Sequence, residues 1–307
     1  MTKVFIDGSA GTTGLRIVDR LSDRSDLELM ILPDELRKDA SARADALATA
    51  DIAFLCLPDD AAKESAALAK GMQVKIIDTS TAHRVDPDWA YGMPELAGQT
   101  EKICTSARIA NPGCHASGFV ALVAPLVQAG ILPKDAPLSS FSLTGYSGGG
   151  KKMIAEYEAQ DRDPLLKGPR QYALTQSHKH LKEMVKLCGL ESAPVFCPIV
   201  GDFYSGMEVT VPLFAKDIKG TVEDIKKLYA AYYQSGLIRY TEQTDPDGML
   251  SAAAFAGRDD MAVSVVGNAD RILLVSRFDN LGKGASGAAI QNMNLLLGLD
   301  QATGLNV

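Results

Sequence analysis

The sequence predicts an α/β protein of two domains, and three observations carry that reading. Short apolar strands alternate with helical segments from residue 3 to residue 78. A glycine-rich turn, residues 8–14, separates the first strand from the first helix. Beyond residue 195 the pattern changes, and four strand-like runs follow with one helix among them. Alternation of strand and helix builds an open parallel sheet, whereas strands in a cluster build a mixed or antiparallel one. A chain of 307 residues also exceeds the usual reach of a single core.

In order, residues 3–7 read as a strand, and residues 15–21 have helical spacing. Between them Gly8, Gly11 and Gly14 follow a G-x-x-G-x-x-G spacing. Strand, glycine turn and helix form a dinucleotide-binding arrangement, in which backbone N–H groups at the helix start meet a pyrophosphate. Residues 27–32 are a second strand. The acids after it, Asp34 and Glu35, suit a ribose hydroxyl, while Arg37 and Lys38 suit a 2′-phosphate. Residues 42–48 and 59–70 read as helices, and residues 51–58 and 74–78 as buried strands. Cys56 sits in such a strand and reads as core. Residues 79–84 and 91–95 lie where ligands bind in such sheets, and Arg84 is the natural partner for an anion.

The chemistry centres on residues 109–118, Ile–Ala–Asn–Pro–Gly–Cys–His–Ala–Ser–Gly. Pro112 and Gly113 make a turn, and the apolar run that follows predicts a helix to Gln128 with Pro125 inside it. Cys114 then lies at a helix N-terminus. There unpaired N–H groups and the dipole favour a thiolate and can stabilise an oxyanion.

Residues 138–144 read as a strand. Residues 145–152 read as a flexible basic loop, either an anion cradle through Ser147 and Lys151 or a linker. Residues 161–169 are polar and turn-rich. Ser177 is a plausible N-cap for a helix carrying His178 and His180. At i and i+2 these histidines point to different faces, which argues against a shared metal; one of them can serve the thiol as acid or base. Strands are expected at 195–200, 207–214, 261–266 and 271–277, with a helix at 222–235; Cys197 reads as core. Residues 279–298 read as a glycine-rich loop feeding an amphipathic helix.

Composition narrows the function. With 31 Lys and Arg against 38 Asp and Glu, the net charge of −7 disfavours a nucleic-acid binder. No apolar run reaches the ~18 residues of a membrane span, and the N-terminus enters a strand without a signal-peptide pattern, so a cytoplasmic location is expected. Five scattered cysteines form neither a disulfide framework nor a zinc site. No metal is expected.

Taken together, residues 8–14, 78–84, 91–95, 111–118, 145–151, 178–183 and 279–294 resemble, in one order over essentially the whole chain, the N-acetyl-gamma-glutamyl-phosphate reductases of arginine biosynthesis, in their shorter subfamily. The resemblance implies a glyceraldehyde-3-phosphate-dehydrogenase-like architecture: a Rossmann domain of residues 1–112 and 283–307, and an α+β catalytic and dimerisation domain of residues 113–282. It implies NADPH as cofactor, a small-molecule substrate, and a homodimer or homotetramer. It implies reversible reduction of N-acetyl-glutamyl phosphate to the semialdehyde plus phosphate through a thioester on Cys114.

The site residues it implies are these. His178 falls on the family's His-x-His-x-x-Glu stretch and is preferred over His180 as acid/base. Cofactor contacts fall on Gly8, Ser9, Gly11, Thr12, Thr13, Gly14, Arg37, Ser80, Gly148 and Asn280. Substrate contacts fall on Arg84, Asn111, Ser147, Lys151, Tyr172 and Glu183. Two rival readings are an aspartate-semialdehyde-type dehydrogenase and a dinucleotide-sensing regulator that has lost the chemistry.

Overall fold

A computed structural model describes residues 1–307, and the chain divides into two compact units. The first comprises Met1–Pro112 and Ala285–Leu305; the second comprises Gly113–Gly284 and Asn306–Val307.

The first unit opens with β1 (Thr2–Asp7), α1 (Thr12–Leu21), β2 (Leu27–Met30), α2 (Ala40–Thr49), β3 (Ile52–Leu55), α3 (Asp59–Leu68) and β4 (Lys75–Asp78). It continues through β5 (Ala90–Tyr91), α4 (Gln99–Thr105) and β6 (Arg108–Ala110). The six strands form one parallel sheet in the order β2-β1-β3-β4-β6-β5. Period-two alternation explains why its strands are apolar throughout. Val4 and Ile6 of β1 enter one core with Ile17, Leu21, Ile103 and Ile290. Phe5, between them, enters the other with Leu47, Ala69 and Ile76. A buried ion pair closes the end of β1: Arg43 Nε lies 3.0 Å from Asp7 Oδ2, which also accepts from Ser65 Oγ.

The second unit begins at α5 (Cys114–Gln128), then β7 (Ser139–Gly145), α6 (Gly150–Glu158), β8 (Arg170–Gln171), α7 (His180–Cys188), β9 (Val195–Gly201) and β10 (Met207–Phe214). It ends with α8 (Val222–Tyr232), β11 (Ile238–Tyr240), β12 (Met261–Gly267) and β13 (Arg271–Phe278). Seven strands form a mixed sheet in the order β11-β12-β13-β10-β7-β9-β8. Its helix-covered face packs α5 against β10 and β13, with α7 and α8 beside it. At Gly118 the helix and sheet come so close that a Cβ would stand 2.5 Å from Val209 Cγ2. The chain then returns to the first unit with α9 (Gly287–Leu296). No helix is long and apolar enough to cross a membrane.

Several local expectations need correction. Residues 145–152 are not a flexible loop: a 3₁₀ turn over Tyr146–Gly149 leads into α6, stabilised by Tyr146 stacking on Tyr157. Ser177 does not cap α7, which starts at His180; its hydroxyl bonds Thr175 instead. Cys197 is half-buried on the face of the second sheet opposite the helices, in register with the exposed Phe141. Helix α9 is buried nearly all round rather than amphipathic. The side-chain amide nitrogens of its Gln291, Asn292 and Asn294 donate to Glu95 Oε1, Gly92 O and Thr303 O respectively. The short β5, α4 and β6 carry too few apolar residues to register as a pattern; α4 buries Ile103 alone.

Candidate active site

The first unit forms a groove of about 340 Å³ at the end of β1 and β3, lined by Gly8, Ser9, Gly11, Arg37, Lys38, Leu57 and Pro58, among others. Gly8 has φ +88°, and a Cβ there would stand 2.4 Å from Cys56 O. A Cβ on Gly14 would stand 2.4 Å from Gly8 O. The turn therefore admits no side chain at either position, and it leaves backbone facing the groove. Gly11 caps α1 with no side chain in the way, and Thr12 and Thr13 open the helix. That geometry fits a dinucleotide pyrophosphate. Arg37 is half exposed, 3.5 Å from Asp34. Burial pushes the neighbouring Cys56 thiol up to about 12, so this cysteine stays protonated.

The loops after β4 and β6 are tied together by the residues singled out from the sequence. Asp78 accepts from Ser80 N and Oγ and from His83 Nδ1, at 2.7–2.9 Å. His83 in turn stacks on Trp89. Arg84 is buried, its Nε donating to Asn111 O at 2.8 Å and its Nη2 to Thr79 O at 3.1 Å. Asn111 donates to Ala285 O and accepts from Asn292 Nδ2. These side chains stitch the carboxyl ends of β4 and β6 to the start of α9.

In the second unit Cys114 is the first residue of α5, after Gly113 in extended conformation. Glu183, 2% exposed, accepts from Gly113 N at 2.8 Å. A carboxylate at that end of the helix complements its dipole and fixes the backbone that carries Cys114. Glu183→Ala is expected to cost about 2–3 kcal/mol, because a buried N–H loses a charged partner. Urea midpoints check this, with Glu183→Gln, whose amide oxygen still accepts from Gly113 N, recovering most of the loss. Gly284 flanks Cys114: a Cβ there would stand 3.0 Å from Cys114 Cβ.

Three imidazoles cluster at His115, the residue that follows Cys114 in α5. The His115 ring centroid lies 5.7 Å from that of His178 and 5.6 Å from that of His180, and the latter two are 4.6 Å apart. His178 and His180 do not point to different faces of one helix, as their i, i+2 spacing predicts, because His178 precedes α7 rather than belonging to it. Its Nδ1 accepts from His180 N at 3.2 Å. Phe196 packs against both His115 and His178. Tyr172 OH meets His115 Nε2 at 2.5 Å, and His115 Nδ1 meets Ser142 Oγ at 2.7 Å. The Tyr172 phenol is held protonated, first by burial and then by the charge of Cys114.

His115 and Ser142 escaped sequence reasoning. A histidine one residue past Cys114, in an otherwise apolar helix, was the available signal. Burial, aided by His178, pulls the His115 imidazole down to about 3 from its ordinary 6.5. The unfolded chain takes up this proton below about 6.5 and the folded one refuses it. Stability is therefore fully present above pH 6.5 and is lost as pH falls toward 3. Between pH 7 and pH 5 the protein is expected to lose about 2 kcal/mol more than His115→Phe, as read from denaturant curves.

A second polar cluster gathers Ser147, Gly148 and Asn280. Asn280 Nδ2 donates to Ser147 Oγ at 3.0 Å, and its Oδ1 accepts from Gly206 N at 2.9 Å. A Cβ on Gly148 would stand 3.4 Å from Asn280 Nδ2. Lys151 is exposed on α6, away from this cluster's hydrogen bonds.

The chain is similar to known proteins over nearly its whole length. Residues 33–105 match the semialdehyde dehydrogenase NAD binding domain, and residues 114–280 match the semialdehyde dehydrogenase dimerisation domain. Aspartate semialdehyde dehydrogenase II of Vibrio cholerae, solved with ASA, superposes with a TM-score of 0.72 at 18% identity, covering 97% of this chain and 98% of that one. The Candida albicans enzyme, solved with NADP, gives 0.67 at 16% identity over 97% and 98%. The class defined is thus a nicotinamide-dependent semialdehyde dehydrogenase. N-acetyl-gamma-glutamyl-phosphate reductase 2 of Nostoc sp. is 46% identical over 99% of both chains. The Brucella ovis N-acetyl-gamma-glutamyl-phosphate reductase is 47% identical over 96% of this chain and 99% of its own. The chain belongs to the N-acetyl-gamma-glutamyl-phosphate reductase family.

Proposed function

We propose that this chain reduces N-acetyl-glutamyl phosphate to N-acetyl-glutamate semialdehyde, releasing phosphate, with NADPH as reductant and in the cytoplasm. Residues 1–112 and 283–307 hold the nucleotide, and residues 113–282 carry the chemistry. The observation that carries the reading is Cys114 opening α5 with its backbone fixed by Glu183, and the next residue, His115, clustered with His178 and His180. Arg37 and Lys38 in the groove wall support a nucleotide bearing a 2′-phosphate.

The Cys114 sulfur attacks the acyl carbon; a C–S bond forms, the C–O bond to phosphate breaks, and phosphate leaves with the electron pair. Bound NADPH supplies the hydride that the resulting thioester requires. Helix N–H groups at the start of α5 stabilise the negative oxygen of the tetrahedral species. His178 is the proton donor. Because its Nδ1 accepts a backbone N–H, the neutral ring carries its proton on Nε2. Collapse of the thiohemiacetal breaks the C–S bond and frees the aldehyde, and the hydroxyl proton passes to the departing sulfur, regenerating the Cys114 thiol.

The test is NADP⁺ reduction with inorganic phosphate and each of two aldehydes. N-acetyl-glutamate semialdehyde is expected to turn over at least about 100-fold faster, in kcat/KM, than aspartate semialdehyde. The reverse preference selects the rival dehydrogenase, and no turnover with either overturns the enzyme reading.

A second copy of this chain covers the face of the second sheet opposite its helices, giving a homodimer. That face leaves Phe141, Val195, Phe214 and Leu273 exposed at 44, 57, 56 and 40%, on adjacent strands. Apolar exposure of that kind marks an interface. Phe141→Asp is expected to shift the protein to monomer in sedimentation velocity at micromolar concentration.

A further inference from the structure

His115 is buried beside the nucleophile, yet the mechanism above gives it no part. Its two ring nitrogens are both engaged, by Ser142 Oγ at 2.7 Å and by Tyr172 OH at 2.5 Å. We propose that Ser142, His115 and Tyr172 form a hydrogen-bonded relay that locks His115 as its Nε2–H tautomer and turns the Tyr172 hydroxyl proton toward the reacting acyl group. His115 is then a positioning residue that acts through Tyr172. The proposal rests on the reading of Cys114 as nucleophile.

Ser142 lies on β7 with no exposed surface, and His115 Nδ1 is the partner of its hydroxyl. A buried hydroxyl left without an acceptor costs the full desolvation of its proton. Ser142 therefore donates to Nδ1. A neutral imidazole carries a single N–H, which must then sit on Nε2. Nε2–H donates to Tyr172 Oη, and the phenol becomes the acceptor of that bond. Its own proton points elsewhere.

The opposite tautomer does two costly things at once. It strands the Ser142 proton in the interior, and it spends the Tyr172 proton on Nε2. The ring cannot escape by taking a second proton at neutral pH, since burial and His178 oppose its charge. Its other neighbours, Phe196 and His180, pack against it through their rings.

The Tyr172 proton has a use. Its phenol is hydrogen-bonded to the residue that follows Cys114 in α5, which holds it at the start of that helix. A protonated phenol there donates to the oxygen that becomes negative when sulfur adds to the acyl carbon. The relay keeps that donor aimed without reorganisation during the reaction.

Two measurements on the full chain decide this. In ¹⁵N–¹H spectra of histidine-labelled protein at pH 7, without substrate, His115 is expected to show a protonated Nε2 and a bare Nδ1. In Ser142→Ala that preference weakens. A protonated Nδ1 in the native chain overturns the relay, whatever the substrate proves to be. In kinetics, Tyr172→Phe and His115→Phe are each expected to lower kcat by about 10–100-fold with KM within about threefold. The double variant is expected to be no slower than Tyr172→Phe alone, and His115→Gln, which keeps an N–H near the Nε2 position, to recover most of the loss. Multiplying effects in the double variant overturn the action of His115 through Tyr172. The Nε2–H tautomer found in a chain that turns over no acyl phosphate rejects the function while leaving the relay standing.

Discussion

Replacing Cys114 with serine is expected to lower kcat by about 10⁴-fold or more while leaving the fold and nucleotide affinity nearly unchanged. The size follows from what the sulfur does. A serine hydroxyl at the same place is a far weaker nucleophile near neutral pH, because an alcohol holds its proton far more tightly than a thiol does. Its ester would also accept hydride less readily than a thioester. The fold is spared because Cys114 contributes little to the core: it is half-buried at the first position of α5, and the helix is held by Glu183 at Gly113 and by the apolar residues from Ala116 to Leu126. Steady-state assays give the kcat, and NADPH fluorescence titration together with circular dichroism gives the controls. Activity within tenfold of the native chain removes Cys114 from the centre of the chemistry. Alkylation gives an independent check. Cys56 and Cys188 are pushed upward by burial, so they should react slowly beside Cys114.

Much of this was legible in the sequence because its causes are local. The turn over Gly8, Gly11 and Gly14 announces itself by spacing, and Cβ contacts of 2.4 Å at Gly8 and Gly14 show why glycine is needed there. Helix α5 runs from Cys114 to Gln128 as its apolar run demands, Pro125 included. Strand β10 falls on residues 207–214 as read. What stayed hidden depends on partners distant in the chain. Glu183 reaches back 70 residues to Gly113, and Ser142 lies 27 residues from His115. Arg84 illustrates the same limit from the other side. Its charge suggests an anion, yet its guanidinium is drawn into carbonyls of Asn111 and Thr79. Helix α9 misled for a related reason: its asparagines and glutamine look solvent-facing until Gly92, Glu95 and Thr303 supply their partners.

The second large effect separates two histidines that the sequence could rank but not resolve. His178→Ala is expected to lower kcat by about 10²–10⁴-fold, the worth of a positioned proton donor, with KM less affected. His180→Ala is expected to lower it by no more than about tenfold. The difference rests on placement. His178 sits before α7, half-buried, with Nδ1 engaged by His180 N, so its proton is on Nε2 and its ring can exchange protons with solvent between turnovers. His180 is the first residue of α7 and only 7% exposed, a poorer place from which to reload a proton. Removing the His180 ring leaves its backbone N–H, and so leaves the bond that fixes the His178 tautomer. Removing the His178 ring takes away the donor itself. A deep loss in His180→Ala with little change in His178→Ala reverses the assignment. Comparable deep losses in both mean that the pair, 4.6 Å apart, works as one unit rather than as donor and neighbour.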